Sequence, residues 1–205
     1  MSPNLRQRKQ TRQPGIDYTQ PGFYFVTICT KQKEEILGKV INENMELNDY
    51  GRIVHECWLA LPDHYRCCRL HEFVIMPNHV HGIIEIVGGS LVWQDSYVGA
   101  GLKPARTLRN EEFKPSRTLK PEESQPARSS SNRTSLSEII RALKTFSARS
   151  INEKYPDGLF QWQRSFHDRI IRDKGELTAI VRYIIDNPLN WSDDEENLHV
   201  GEFGI

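Results

Sequence analysis

No stretch of this 205-residue chain is apolar for long enough to cross a bilayer, and the basic, glutamine-rich N-terminus has no hydrophobic run behind it to make a secretory signal. The expectation is a soluble, cytoplasmic protein without a membrane partner. Cysteine is scarce too. The four, Cys29, Cys57, Cys67 and Cys68, are too irregularly spaced for a disulfide framework, and adjacent Cys67 and Cys68 would bridge only under strain. A zinc cluster can be drawn from Cys57, His64, Cys67 and His71, but the paired CxxC spacing that would support it is missing. Net charge is also absent: 27 basic residues balance 27 acidic ones, so bulk electrostatics announces no nucleic-acid partner. The distribution is less even. Arg6, Arg8, Lys9 and Arg12 form a basic arm within residues 1–20, whereas residues 192–205 carry Asp193, Asp194, Glu195, Glu196 and Glu202 with no Lys or Arg.

Between these ends, residues 21–191 have the patterning of one folded domain with a break in it. Residues 23–30 are aromatic and β-branched, the composition of a buried strand, and 38–41 with 45–47 reads as a hairpin. Asn48 then caps a helix whose apolar positions Ile53, Val54, Cys57, Trp58 and Leu61 recur at helical spacing until Pro62. Two strands follow at 70–76 and 80–87. Residues 90–133 have prolines, serines and no apolar period, and repeat Lys103-Pro104-Ala105-Arg106-Thr107-Leu108 as Lys114-Pro115-Ser116-Arg117-Thr118-Leu119, which reads as a low-complexity insertion. Order resumes with a capping box from Ser135 to Glu138 and a helix whose core face is expected to be Ile139, Ile140, Leu143, Phe146 and Ile151, with Arg141, Lys144 and Arg149 outside. Residues 162–171 read as a strand, and Asp173 with Glu176 opens a last helix. The order implies an antiparallel sheet covered by helices, the α+β class.

Two features carry chemistry. His79 and His81 flank Val80 in a strand, and with a period of two both imidazoles emerge on one face, close enough to share a divalent ion and leave it open positions. The ordinary alternative is a pair of buried, hydrogen-bonded strand histidines. Tyr183 and Asn187 are four apart on the last helix and therefore neighbours, with Tyr183 at the edge of the apolar stripe. A phenol there is ordinarily an amphipathic surface residue, but beside a histidine-bound metal it becomes a usable nucleophile toward a phosphodiester.

The segments Pro21-Gly22-x-Tyr24-Phe25-Val26-Thr27, Val74-Ile75-Met76-Pro77-Asn78-His79-Val80-His81-Gly82 and Tyr183-Ile184-x-x-Asn187-Pro188 together resemble the REP-associated tyrosine transposases, which are single-tyrosine HUH nucleases. The resemblance implies a ferredoxin-like sheet with the histidines on a central strand. His79, His81 and Asn187 would hold Mg²⁺ or Mn²⁺. Tyr183 would attack phosphorus, release a 3′-hydroxyl and retain a 5′-phosphotyrosine link that another 3′-hydroxyl can reverse. The implied partner is single-stranded or hairpin-forming repeat DNA. Both a monomer and a homodimer sharing its tyrosine helix are compatible with it. Arg6, Arg8, Lys9, Arg12, Arg141 and Lys144 are the candidate phosphate contacts, and Tyr24 and Trp162 the candidate stacking platforms. Two rival readings use the same residues: a DNA-binding module of this fold without turnover, and a cupin-like metalloenzyme using His79, His81 and Glu85, whose flanking glycines are out of register and whose β-barrel sits badly with this many helices.

Overall fold

In a computed structural model, residues 17–88, 134–194 and 196–197 are described. The basic arm residues Arg6, Arg8, Lys9 and Arg12, and the insertion expected at 90–133, lie outside them.

The aromatic, β-branched run forms β1, Gly22–Cys29. A type I′-like turn with positive φ at Asn42 and Glu43 joins β2, Gly38–Ile41, to β3, Asn44–Leu47, in a separate hairpin. Asn48 caps α1, Asp49–Leu59, by accepting from Gly51 N. Pro62 does not end the helical path. It occupies the first turn of a short α2, Leu61–His64, where its missing N–H costs nothing. Strands β4, Cys68–Ile75, and β5, His79–Ile86, follow, then α3, Leu136–Lys154, β6, His167–Ile171, and α4, Lys174–Asp186.

The main sheet runs β4-β5-β1-β6, antiparallel throughout. Taken in chain order, its four strands and the helices α1 and α3 have ferredoxin-like connectivity, as the sequence implied. β5 and β1 are central, and every residue of β5 is buried. Alternation splits the side chains of β5 between two layers. Val80, Ile84 and Ile86 join Val26, Ile28, Trp58, Ile139, Ile140 and Leu143 in the larger core under α1 and α3. Ile83 points the other way, into a smaller core with Ile171 and Ile184, against which Phe23, Phe25, Val74, Leu177, Ile180 and Val181 pack. The histidines share the parity of Ile83 and so face α4.

Gly82, between the histidines and Ile83, has a space requirement: a Cβ there would lie 2.4 Å from the Trp58 ring. The indole is thus seated directly on the β5 backbone, which fixes the strand's height from the α1 side.

Three sequence expectations need correction. The strand expected over 162–171 begins only at His167, because residues 161–165 first cross the end of β1: Lys31 N donates to Gln161 O, Gln163 N to Cys29 O, and Trp162 makes an isolated bridge with Thr30. Phe146 is not core. It is 48% exposed and stacks on the His64 ring, while Ser147, one position on, takes the buried place in the row Leu136, Ile140, Leu143, Ile151. Neither expected stacking platform is available as read. Tyr24 is 2% exposed in the core with its hydroxyl donated to Gln20 O, and Trp162 packs edge-on against Phe160 and donates Nε1 to Ser147 Oγ.

Candidate metal and tyrosine centre

β5 opens on the site. His79 lies opposite Cys29 and His81 opposite Thr27 on β1, and the two imidazole centroids are 4.3 Å apart. The proton on His79 can be placed by following the neighbouring amide. Asn78 Nδ2 donates to Lys33 O (3.1 Å) and to Glu196 O (2.8 Å), so Asn78 Oδ1 is the acceptor facing His79 Nδ1 at 2.8 Å. Nδ1 therefore carries the hydrogen, and the lone pair is on Nε2. That nitrogen is buried and has no hydrogen-bond partner among the described residues.

His81 is held in the same tautomer. The Tyr183 hydroxyl is 3.2 Å from Nε2, and with the phenol donating there, Nδ1 donates to Thr27 Oγ1 at 3.0 Å. Phe25 stacks on the His81 ring at 5.2 Å and meets Tyr183 edge-on at 6.1 Å, setting the angle between them. Burial holds the His79 imidazole well below its ordinary pKa, with the nearby His81 and Lys33 adding to the effect. Burial likewise pushes His81 down to about 4, against an upward pull from Asp194 and Glu196. Both rings are neutral at pH 7, the form a metal ligand must have.

Asp173 accepts from Glu176 N and starts α4. The helix runs for thirteen residues and ends with Asn187 as its C-cap. Tyr183 is 46% exposed, its ring at the rim and its hydroxyl at His81. The tyrosine helix thus serves the histidines of its own chain. Asn187 is 1% exposed: Nδ2 donates to Asp194 Oδ2 at 2.8 Å, and the buried Oδ1 has no partner among the described residues. Asp194, buried after the 3₁₀ turn Trp191–Asp193, completes a cluster in which ligand atoms of His79, His81 and Asp194 lie within 4.8 Å of one another.

This donor set fits a divalent ion. It offers two neutral imidazoles and a carboxylate, with the Asn187 amide bonded to that carboxylate, and among the described residues it leaves one imidazole nitrogen and one amide oxygen unsatisfied in the interior, where an orphaned polar atom costs about 1–3 kcal/mol. Sequence reasoning named the histidines, Tyr183 and Asn187 as candidates but did not name Asp194, which the structure brings beside the histidines. It lies in an acidic run, seven residues beyond Asn187, with no periodicity to mark it.

The other candidates fare differently. Arg141 is exposed on α3 and lines a cleft of about 460 Å³ with Lys144, Arg164 and Phe166. Lys144 has a structural role there, donating Nζ to Gln163 O at 2.9 Å and Ser165 O at 2.7 Å. Glu85 does share the histidine face, but it bonds His71 Nε2 at 2.9 Å and is not in the His79, His81 and Asp194 cluster. With an open four-stranded sheet in place of a barrel, the cupin reading is overturned. The cluster drawn from Cys57, His64, Cys67 and His71 does not form among the described residues. Nor is any described helix long and apolar enough to cross a membrane.

A ferredoxin-like sheet with two neutral histidines facing a phenol from the following helix defines the domain. Comparisons with known proteins place it. Residues 128–187 match the family model "Transposase IS200 like". An uncharacterised protein of Haemophilus influenzae is 33% identical over 191 residues, covering 93% of each chain. The structure of a REP-associated tyrosine transposase bound to a REP hairpin matches the fold with a TM-score of 0.51 at 15% identity, covering 90% of this chain and 80% of that one. The chain belongs to the IS200-like transposases, a family of DNA-processing enzymes, as its motif resemblance to the REP-associated tyrosine transposases implies.

Proposed function

We propose that this chain is a metal-dependent single-stranded DNA transposase that cleaves and rejoins strands at hairpin-forming repeats through a 5′-phosphotyrosine intermediate on Tyr183. The observation that carries the reading is the Tyr183 hydroxyl, 3.2 Å from His81 Nε2 at the mouth of a buried, neutral histidine pair. His79, His81 and Asn187 would hold Mg²⁺ or Mn²⁺, which when bound supplies Lewis-acid polarisation of the scissile phosphate.

The residues divide the remaining work. Asn78 and Thr27 keep both imidazoles with Nδ1 protonated and the lone pair on Nε2, which fixes the tautomer and ring orientation a metal ligand needs. Phe25 holds the Tyr183 ring so that its oxygen stays at the histidine face. In cleavage the phenolic oxygen forms a bond to phosphorus, the bond from phosphorus to the 3′-oxygen breaks, and the phenol's proton is balanced by the proton gained on the departing 3′-hydroxyl. The product is itself a phosphodiester, so attack by another 3′-hydroxyl runs the same exchange backward without a nucleotide cofactor. Phosphate contacts fall to Arg6, Arg8, Lys9 and Arg12 on the arm and to Arg141. Lys144 keeps the 163–165 segment in place.

The test is a denaturing gel of purified protein incubated with labelled hairpin oligonucleotides and Mn²⁺. A covalent band is expected for the native chain and for none of Tyr183→Phe, His79→Ala and His81→Ala. A hairpin retained on a native gel with no covalent band in any metal would identify a binding module without turnover.

A further inference from the structure

We infer that Asp194 is itself a metal ligand, so that the centre comprises two imidazoles, one amide oxygen and one carboxylate, the last delivered from beyond the tyrosine helix. The inference rests on the metal-dependent reading above and extends its ligand set.

Three observations converge on Asp194. Its carboxylate has an oxygen within 4.8 Å of ligand nitrogens on both His79 and His81. Its residue is only 7% exposed, yet among the described residues no Lys or Arg is ion-paired with it; Lys33, Arg52, Arg149 and Arg169 pair with Glu196, Asp49, Glu153 and Glu176. A carboxylate taken out of water without a cation is expensive, and buried charges are paired or coordinate metals. Finally, the groups around it are arranged as ligand supports. Asn187 Nδ2 donates to Oδ2 at 2.8 Å and Glu196 N to Oδ1 at 2.7 Å, fixing the carboxylate plane while each oxygen keeps lone-pair capacity. Donation from Nδ2 also leaves the orphaned Asn187 Oδ1 on the same amide facing away from that bond.

Beyond its position, the ligand changes the chemistry of the site. Two imidazoles alone are a borderline-soft pair that suits Ni²⁺ and Zn²⁺ better than Mn²⁺ or Mg²⁺. A carboxylate adds a formal negative charge and a hard oxygen, which moves the preference toward the hard ions that phosphoryl chemistry uses. Asp194 is then a selectivity determinant as well as a ligand. The 3₁₀ turn Trp191–Asp193 and the Glu196 bond to Asn78 become parts of the metal site, because they set where the carboxylate sits.

The experiment titrates the metal-free full-length chain with MnCl₂ and, separately, NiCl₂ by calorimetry, and records the melting temperature of each metal-free variant. Asp194→Asn keeps the shape and most hydrogen bonds but removes the charge. Its Mn²⁺ affinity is expected to fall on the order of 100-fold, its Ni²⁺ affinity to fall less, and its metal-free melting temperature to stay near that of the native chain. Should Asp194→Asn fail to fold, Asp194→Ser, whose hydroxyl still accepts from Asn187 or Glu196, is expected to show the same selective loss. Native Mn²⁺ affinity in a folded Asp194 variant, with His79→Ala abolishing binding, would overturn Asp194 as a ligand while leaving the metal site intact. Identical titrations for the native chain and His79→Ala would instead remove the metal reading and this inference with it.

Discussion

The lone pair of His81 Nε2 is asked to do two things, and a single lone pair serves one at a time. It accepts the Tyr183 hydroxyl at 3.2 Å, and it is the nitrogen that Thr27, bonded at Nδ1, leaves available to a metal. Removing the phenol oxygen therefore removes a competitor. Tyr183→Phe is expected to bind Mn²⁺ about two- to tenfold more tightly, the worth of a neutral hydrogen bond of roughly 0.5–1.5 kcal/mol, while losing all covalent product. Weaker Mn²⁺ binding in this variant, measured by calorimetry, would show the tyrosine to be a supporting ligand. The same two histidines give the metal-free protein a pH dependence. Both are neutral when folded, with His81 down to about 4 and His79 held well below its ordinary value by burial, whereas the unfolded chain protonates both near an ordinary pKa of about 6.5. Between those values the unfolded state binds more protons, so stability falls as the pH is lowered through this window, on the order of 3 kcal/mol from His81. Urea unfolding in EDTA at pH 7.5 and pH 5 checks it. A midpoint that holds or rises at pH 5 contradicts the buried neutral pair.

Elements with a local signature were legible in the sequence. The caps at Asn48, Ser135 and Asp173 all form, since a cap is settled by a side chain and an amide three residues away. Period-two alternation put His79 and His81 on one face correctly for the same reason. What failed was set by packing between elements. Phe146 and Ser147 are adjacent on α3, and which of them is buried depends on the angle at which α3 meets the sheet. Lys144 read as an exposed cation and is instead a strap from α3 to the carbonyls of Gln163 and Ser165. Stability and DNA affinity should separate accordingly along this helix. Lys144→Ala is expected to destabilise the fold by about 1–3 kcal/mol, since both carbonyls lose a charged donor. The salt dependence of its DNA binding should stay unchanged. Arg141→Ala should leave stability within about 0.5 kcal/mol and flatten the slope of log affinity against log salt by roughly 0.7. Chemical unfolding and salt-titrated fluorescence anisotropy measure the two quantities, and exchanged outcomes would make Lys144 the phosphate contact.

At the scale of the whole molecule, the neutral sum of 27 basic and 27 acidic residues conceals how one acid is used. Asp193, Asp194 and Glu196 look alike in the sequence, yet Asp193 is exposed, Asp194 is buried against the histidines and Glu196 pairs with Lys33. That assignment depends on the C-cap of α4, on the turn after it and on Asn78, which is more than a hundred residues away in the chain. No pattern within the acidic run encodes it, and so the third corner of the site was unreadable where the first two were plain. The fold's contribution is to bring the start of β5, the end of α4 and this returning segment together on the α4 face of the sheet, where the proposed chemistry has a phenol and a metal-ligand set meet the same phosphate. The polarity of the covalent product tests that account most directly. A hairpin oligonucleotide is labelled in one preparation at its 5′ end and in another at its 3′ end, then incubated with the native chain and Mn²⁺ and run under denaturing conditions. Attack by Tyr183 with release of a 3′-hydroxyl predicts that the 3′ label migrates with the protein and the 5′ label appears only in a shorter free strand, with neither change in Tyr183→Phe. A 5′ label carried by the protein, or a protein-linked label that survives Tyr183→Phe, would contradict it.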